Sequence, residues 1–305
     1  LWDNEGEGGS RSLKIKMNVV GWQNLGWRLA KTVSLGFLIS TVLLLSGCTT
    51  LLNPNAAGQS SPHLLLGKPS QATPFNAKDY LVVRPQYVLA YSPEKGIPNW
   101  ASWQLNQTWL GDLPRPEFEP DLSLPQGWYQ VKPSDYTGSG FDRGHLIPAA
   151  DRNKTEADSK SVFLMTNILP QAPDNNQGPW EKLESYCRTL ARQGKELYIV
   201  AGGAGVGGTG MKGPRTTLGK GTVTVPAALW KIIVVLERPG LPLESITETT
   251  PVIAVLMPNQ QGIKEASWTS YRTSVDAIEE LTGYDFLSNL AQPLQAALEA
   301  QRSNL

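Results

Sequence analysis

The chain is poor in histidine and cysteine, with two of each in 305 residues, and has no excess of either charge. Two cysteines, Cys48 and Cys187, exclude a disulfide framework and a cysteine-built zinc site, and two histidines, His63 and His145, exclude a zinc centre made of several imidazoles. The balance of 27 basic and 27 acidic residues removes the basic footprint that marks most nucleic-acid binders. Positions 1–48 hold five basic and three acidic residues, which leaves 22 against 24, or about −2, in the remainder. Phosphate can then be met only through a local cluster of cations, an arrangement that suits a transiently binding enzyme better than a tight DNA-binding module. No separate recognition helix, basic arm or internal repeat is visible.

What the chain does have is a concentration of chemistry between Phe141 and Arg188. On an extended Phe141-Asp142-Arg143-Gly144-His145, side chains alternate, so Arg143 and His145 share one face and Asp142 takes the other. Gly144 between them lets another group come close. Downstream lies Asn176-Gln177-Gly178-Pro179-Trp180. Pro179 suits a first helical position, Trp180, Leu183, Cys187 and Leu190 recur at helical spacing, and Gly194 offers a stop. Glu184 and Arg188, four apart, share a face of that helix, with Asn176 just before its first turn. Cys187 falls at an apolar position and reads as a small buried hydrophobe. A strand carrying Arg and His opposite a helix carrying a carboxylate and an Arg is a plausible site for cutting a phosphodiester.

Asp142-Arg-Gly-His145, Thr166-Asn-Ile-Leu-Pro-Gln171 and Asn176-Gln-Gly-Pro-Trp-Glu-Lys-Leu-Glu184 together resemble the DNA/RNA non-specific endonuclease family, in particular its secreted bacterial, sugar-non-specific members of the nuclease A type. The resemblance spans roughly residues 78–290 and includes Tyr87–Tyr91, Trp268–Tyr271 and Leu281–Phe286. It implies an α+β fold with a central, mostly antiparallel sheet flanked by helices and a ββα-metal (His-Me finger) active-site module. Strand-like runs support that sheet at Tyr87–Tyr91, Trp100–Leu105, Leu197–Ala201, Thr222–Val225, Leu229–Leu236 and Val252–Met257, with a closing helix from about Ser274 to Leu281.

Phosphodiester hydrolysis sets three problems: water is a poor nucleophile, the 3′ oxygen is a poor leaving group, and negative charge gathers on the phosphoryl oxygens. His145 is the domain's candidate general base. Asn176 offers the neutral amide oxygen that suits Mg²⁺, with Mn²⁺ as a substitute, and Glu184 is placed to hold water around that cation. Arg143 and Arg188 are candidates for clamping the phosphate. The resemblance implies the same roles, cutting of both DNA and RNA, and 5′-phosphate ends. It also places Arg115 near the position of a further phosphate-contacting Arg, against the alternative of a solvated loop residue. Asp142 reads as a structural or outer carboxylate, and Glu181 as a solvated residue or outer helper. Besides this endonuclease reading stand two others: a catalytically inactive nucleic-acid-binding surface lipoprotein, and an uptake or toxin nuclease with a cognate protein inhibitor as its partner.

The N-terminal 48 residues predict export. Residues 1–16 are polar and Gly-rich, and Met17 reads as the initiator. Arg28 and Lys31 precede an apolar run from Val33 to Leu45, which closes on Leu45-Ser46-Gly47-Cys48. This is a lipoprotein-type signal, with Cys48 the lipid attachment point and the bacterial envelope or the exterior the destination. The alternative is a transmembrane anchor, for which the run is shorter than the ~20 residues required. Residues 1–48 are thus read as extension and signal, 49–77 as a flexible tether containing His63, 78–290 as the nuclease domain and 291–305 as a C-terminal tail. The run Gly202–Gly210 lacks the Gly-Lys-Ser/Thr of a phosphate-binding loop and reads as a flexible surface loop between strands.

Overall fold

The structure is a computed structural model that describes residues 61–302. Met17, Cys48 and the secretory segment lie outside the described residues, as does the tether before Ser61. In chain order the strands are β1 Tyr80–Arg84, β2 Tyr87–Ser92, β3 Ile97–Leu105, β4 Asp142–His145, β5 Ile168–Gln171, β6 Glu196–Ala204 and β7 Gly208–Gly210. They continue as β8 Gly213–Arg215, β9 Thr217–Leu218, β10 Val223–Thr224, β11 Ala228–Leu236, β12 Val252–Pro258 and β13 Arg272–Thr273. The principal helices are α1 Glu156–Val162, α2 Glu181–Arg192, α3 Val275–Thr282 and α4 Gln292–Glu299.

A seven-stranded sheet in the order β1-β2-β3-β6-β11-β12-β13 forms the centre, and each neighbouring pair is antiparallel. Because successive side chains in a strand face opposite ways, each apolar strand feeds two cores. Leu89, Trp103, Ile199, Ile233 and Val255 face one side, and Val88, Trp100, Tyr198, Ile232 and Ala254 face the other. Both faces are covered, which is why these strands read as continuous apolar runs rather than as clean alternation. The first face carries the predicted site: Leu146, Ile168, Leu169, Trp180, Leu183 and Cys187 all join its core.

The second face corrects the domain limits drawn from sequence. Residues 61–77 are not a free tether: Leu64, Leu66 and Ala72 are buried against the sheet. His63 is buried too; its Nε2 donates to the Pro85 carbonyl at 2.8 Å, and its Nδ1 accepts from the Gln104 amide at 3.2 Å. The C-terminal stretch is likewise no tail as far as Glu299, since α4 buries Leu298 in the same core. Both segments are too short to show a period, and their few apolar residues reveal a packing role only once a sheet face lies beneath them.

Two further expectations change. Thr222–Val225 supplies only the two-residue β10, which pairs with β9 outside the central sheet. The glycine run is not a loose loop: Gly202 and Gly203 end β6 within the sheet, and the remainder leads into the β7–β8 hairpin. Gly202 lies between Trp100 and Trp230 in register, and a Cβ there would sit 2.5 Å from the Trp230 ring. Tight packing of two tryptophans requires that glycine.

Candidate active site

β4 and β5 pair antiparallel, with Asp142 opposite Gln171 and His145 opposite Ile168. Chain then passes through a turn at Pro173–Asn175 and a wide turn at Asn176–Trp180, in which Gly178 leaves helical geometry (φ −119°, ψ −117°). Regular α2 begins after Pro179, as its missing N–H favours, and Gly194 closes it with φ +89°. Two strands followed by a helix form the ββα module. Asn176 therefore sits in the wide turn rather than beside the first turn of α2. Gly144 has a definite neighbour, since a Cβ there would lie 2.2 Å from Gln171 Oε1.

His145 is held by aromatic rings. Its imidazole lies 4.8 Å from Phe163, edge-on, and 5.2 Å from Phe118, and its buried Nε2 has no hydrogen-bond partner. Burial, with the nearby Arg115 charge adding to it, pushes its pKa down to about 3. The ring is therefore neutral at physiological pH, the state in which it can accept a proton. Each of its two aromatic neighbours also carries a guanidinium: Arg143 lies 4.9 Å from the Phe118 ring centre and Arg115 lies 5.3 Å from that of Phe163. Among the described residues neither arginine forms an ion pair. Arg143 and His145 meet the same ring, as alternation along β4 predicts, and Arg115 lies over the other ring that flanks His145.

Asp142, on the other face of β4, accepts from Asn176 Nδ2 at 2.8 Å and from Gln177 Nε2 at 2.9 Å. A carboxylate facing Nδ2 fixes the amide orientation and leaves Asn176 Oδ1 as the atom available to a ligand. Asp142 is thus the positioning carboxylate for the candidate metal ligand.

On α2, Glu184 Oε1 lies 3.4 Å from Lys231 Nζ of β11. Lys231 is buried with its ammonium 4.0 Å from the Trp180 ring centre and 5.6 Å from that of Trp103. Burial pushes the Glu184 carboxyl up to about 7, while Lys231 pulls it back. Arg188 is not the free phosphate clamp expected from sequence. It is buried, pairs with Asp151 at 3.3 Å and Glu181 at 3.7 Å, and donates to Ser185 Oγ at 3.0 Å. Asp151 also accepts from Trp103 Nε1 at 3.0 Å, so this charge network is seated on the sheet. Cys187 behaves as expected, its thiol buried and pushed up to about 12 by desolvation.

Sequence reasoning missed Phe118, Phe163, Asp151 and Lys231. Only Lys231 carried a signal: a lone lysine inside the apolar run Leu229–Leu236 marks a buried charge that needs partners.

Comparison with known proteins bears on this geometry. The profile of the DNA/RNA non-specific endonuclease family matches residues 69–292. A nuclease of Nostoc sp. (strain PCC 7120) is 49% identical over 278 residues, covering 86% of this chain and 96% of that protein. Human mitochondrial endonuclease G is 30% identical over 214 residues, covering 68% of this chain and 69% of its own. Among solved structures, that of the EndoG/EndoGI complex aligns with a TM-score of 0.63 at 21% identity, covering 79% of this chain and 95% of the other.

Proposed function

Because this chain belongs to the DNA/RNA non-specific endonuclease family, we propose that it cuts both DNA and RNA without sequence preference, with His145 as general base and one Mg²⁺ held through Asn176. It is an endonuclease acting on nucleic acid. The observation that carries the finer reading is the neutral His145 fixed between Phe118 and Phe163, with an arginine over each ring.

The donor set fits a hard cation. Asn176 Oδ1 is a neutral oxygen already oriented by Asp142, and Mg²⁺ prefers few protein oxygens and keeps several waters. Asn176 would hold it directly and Glu184 through water. A bound cation would supply Lewis acidity for the charge that develops on the phosphate and the leaving group.

The remaining steps belong to side chains of this chain. The His145 imidazole takes the proton of the attacking water, leaving the phosphate on the 5′ end. Arg143 and Arg115 meet the phosphoryl oxygens and stabilise their growing charge. Arg188 keeps Asp151 and Glu181 neutralised beside Glu184, as Lys231 does for Glu184 itself. The Leu45–Cys48 pattern supports export and a lipid tether at Cys48, and the inhibitor named in the EndoG/EndoGI structure supports a cognate protein inhibitor here too.

The test is incubation of the purified protein with supercoiled plasmid and with RNA in Mg²⁺, Mn²⁺ or EDTA, beside His145→Ala and Asn176→Ala. Both substrates are cut by the wild type only when a divalent cation is free, and each variant loses at least about 100-fold. Cutting that persists in EDTA refutes the metal role, and full activity in His145→Ala refutes the base.

A further inference from the structure

A cleft opens beside Arg115, next to the ring of Phe163. Its volume is about 280 Å³, and its walls are Leu113, Pro114 and Pro116 of the loop before Phe118, with Glu156 and Lys160 of α1 opposite and Arg115 in its lining. We propose that this cleft receives the base and sugar of the nucleotide adjoining the scissile phosphate, an inference that rests on the nuclease reading above.

The same arginine belongs to both places. Arg115 lines the cleft and lies over Phe163, whose ring touches His145, so a phosphate held by Arg115 has the base on one side and the cleft on the other. The cleft is also preformed. At one end the loop is pinned by the Gly111 amide on Asn153 Oδ1 (2.8 Å) and the Leu113 amide on the Asn153 carbonyl (3.4 Å). At the other, the Glu119 amide donates to the Phe163 carbonyl (3.1 Å) and the Met165 amide to the Glu119 carbonyl (2.9 Å). Both anchors flank α1, so loop and helix are held as the two sides of one slot, and the proline rings stiffen its rim.

The chemistry of the walls fits an uncharged, flat group. Leu113, Pro114 and Pro116 present apolar surface on which any base can lie, and the Ser159 hydroxyl that also lines the cleft can donate or accept and so selects no single base. Lys160 and Glu156 form an exposed pair at 3.7 Å that costs little to rearrange, so the cleft offers no fixed charge beyond Arg115. A base entering it must leave its stack, which favours single-stranded or flexible substrate over regular duplex.

The test is a scan of one short single-stranded oligonucleotide in which an abasic sugar replaces each nucleotide in turn, read as kcat and KM for cutting at one bond. In the wild type, one position next to that bond raises KM about tenfold when its base is removed, the scale of a stacking contact, with kcat little changed. In the Leu113→Ala/Pro114→Ala variant the intact oligonucleotide already shows the raised KM, and the same abasic position adds less than about twofold. A flat scan in an active wild type, or a penalty that survives in full in the variant, overturns the subsite alone. An enzyme that cuts no substrate overturns the nuclease reading and the subsite with it.

Discussion

Lowering the pH from about 7 to about 4.5 protonates an ordinary imidazole, and both imidazoles of this protein are buried and neutral. Burial holds His63 at about 4, with the bond to Pro85 opposing the shift and Arg152 adding to it. Burial, aided by Arg115, holds His145 at about 3. In the unfolded chain both return to about 6.5, so below that pH the unfolded state binds protons that the folded state refuses. The stabilisation is complete above pH 6.5 and is lost as the pH falls toward the folded values. At about pH 4.5 each histidine accounts for a loss of about 2.5 kcal/mol, and the pair for about 5 kcal/mol, comparable with the whole stability of a marginal domain. Glu184 and Glu299, both pushed up to about 7 by burial, gain protons in the folded state over the same range and act in the opposite sense. Comparing variants isolates the histidines from them. Urea unfolding followed by tryptophan fluorescence, in EDTA, at both pH values would be run on the wild type, His63→Gln, His145→Gln and the double variant. Each single substitution removes about 2.5 kcal/mol of the acid-induced loss, and the double variant about 5. If His63→Gln leaves the acid-induced loss unchanged, His63 is solvated and the segment from residue 61 is not part of the fold.

Two further outcomes follow from the site. Asp142→Ala frees the amide of Asn176 and lowers the apparent affinity for Mn²⁺ about 10- to 100-fold, measured by paramagnetic resonance as free cation, while kcat at saturating cation stays within a few-fold; unchanged affinity would remove Asp142 from the positioning role. Lys231→Met strands Glu184 without its cation and costs about 3–5 kcal/mol at pH 8. Adding Glu184→Gln returns most of that loss, and a double variant no more stable than Lys231→Met would show that the lysine acts through its tryptophan contacts instead.

The residue order alone determined the fold class and which residues gather at most of the candidate site. Side chains alternating along Asp142–His145 place His145 and one arginine together, and helical spacing from Trp180 to Leu190 places Glu184 and Arg188 on one element; both are local periodicities that a linear string preserves. Strands buried on two faces were legible for the same reason, as apolar runs bounded by glycine and proline. What tertiary structure alone decided depends on contacts between distant positions. Phe118 and Phe163 became the walls around His145 because the loop carrying Phe118 pairs, through Glu119, with the chain that leaves α1, and Asp151 reached Arg188 across 37 positions. Arg188 turned from clamp to buried partner by that contact. The ends of the domain were hidden likewise, since a few leucines around His63 acquire meaning only against an uncovered sheet face. Burial is a property of the assembled chain, and so the shifts that keep the His145 imidazole neutral and lift Glu184 toward 7 were set by packing and not by spacing.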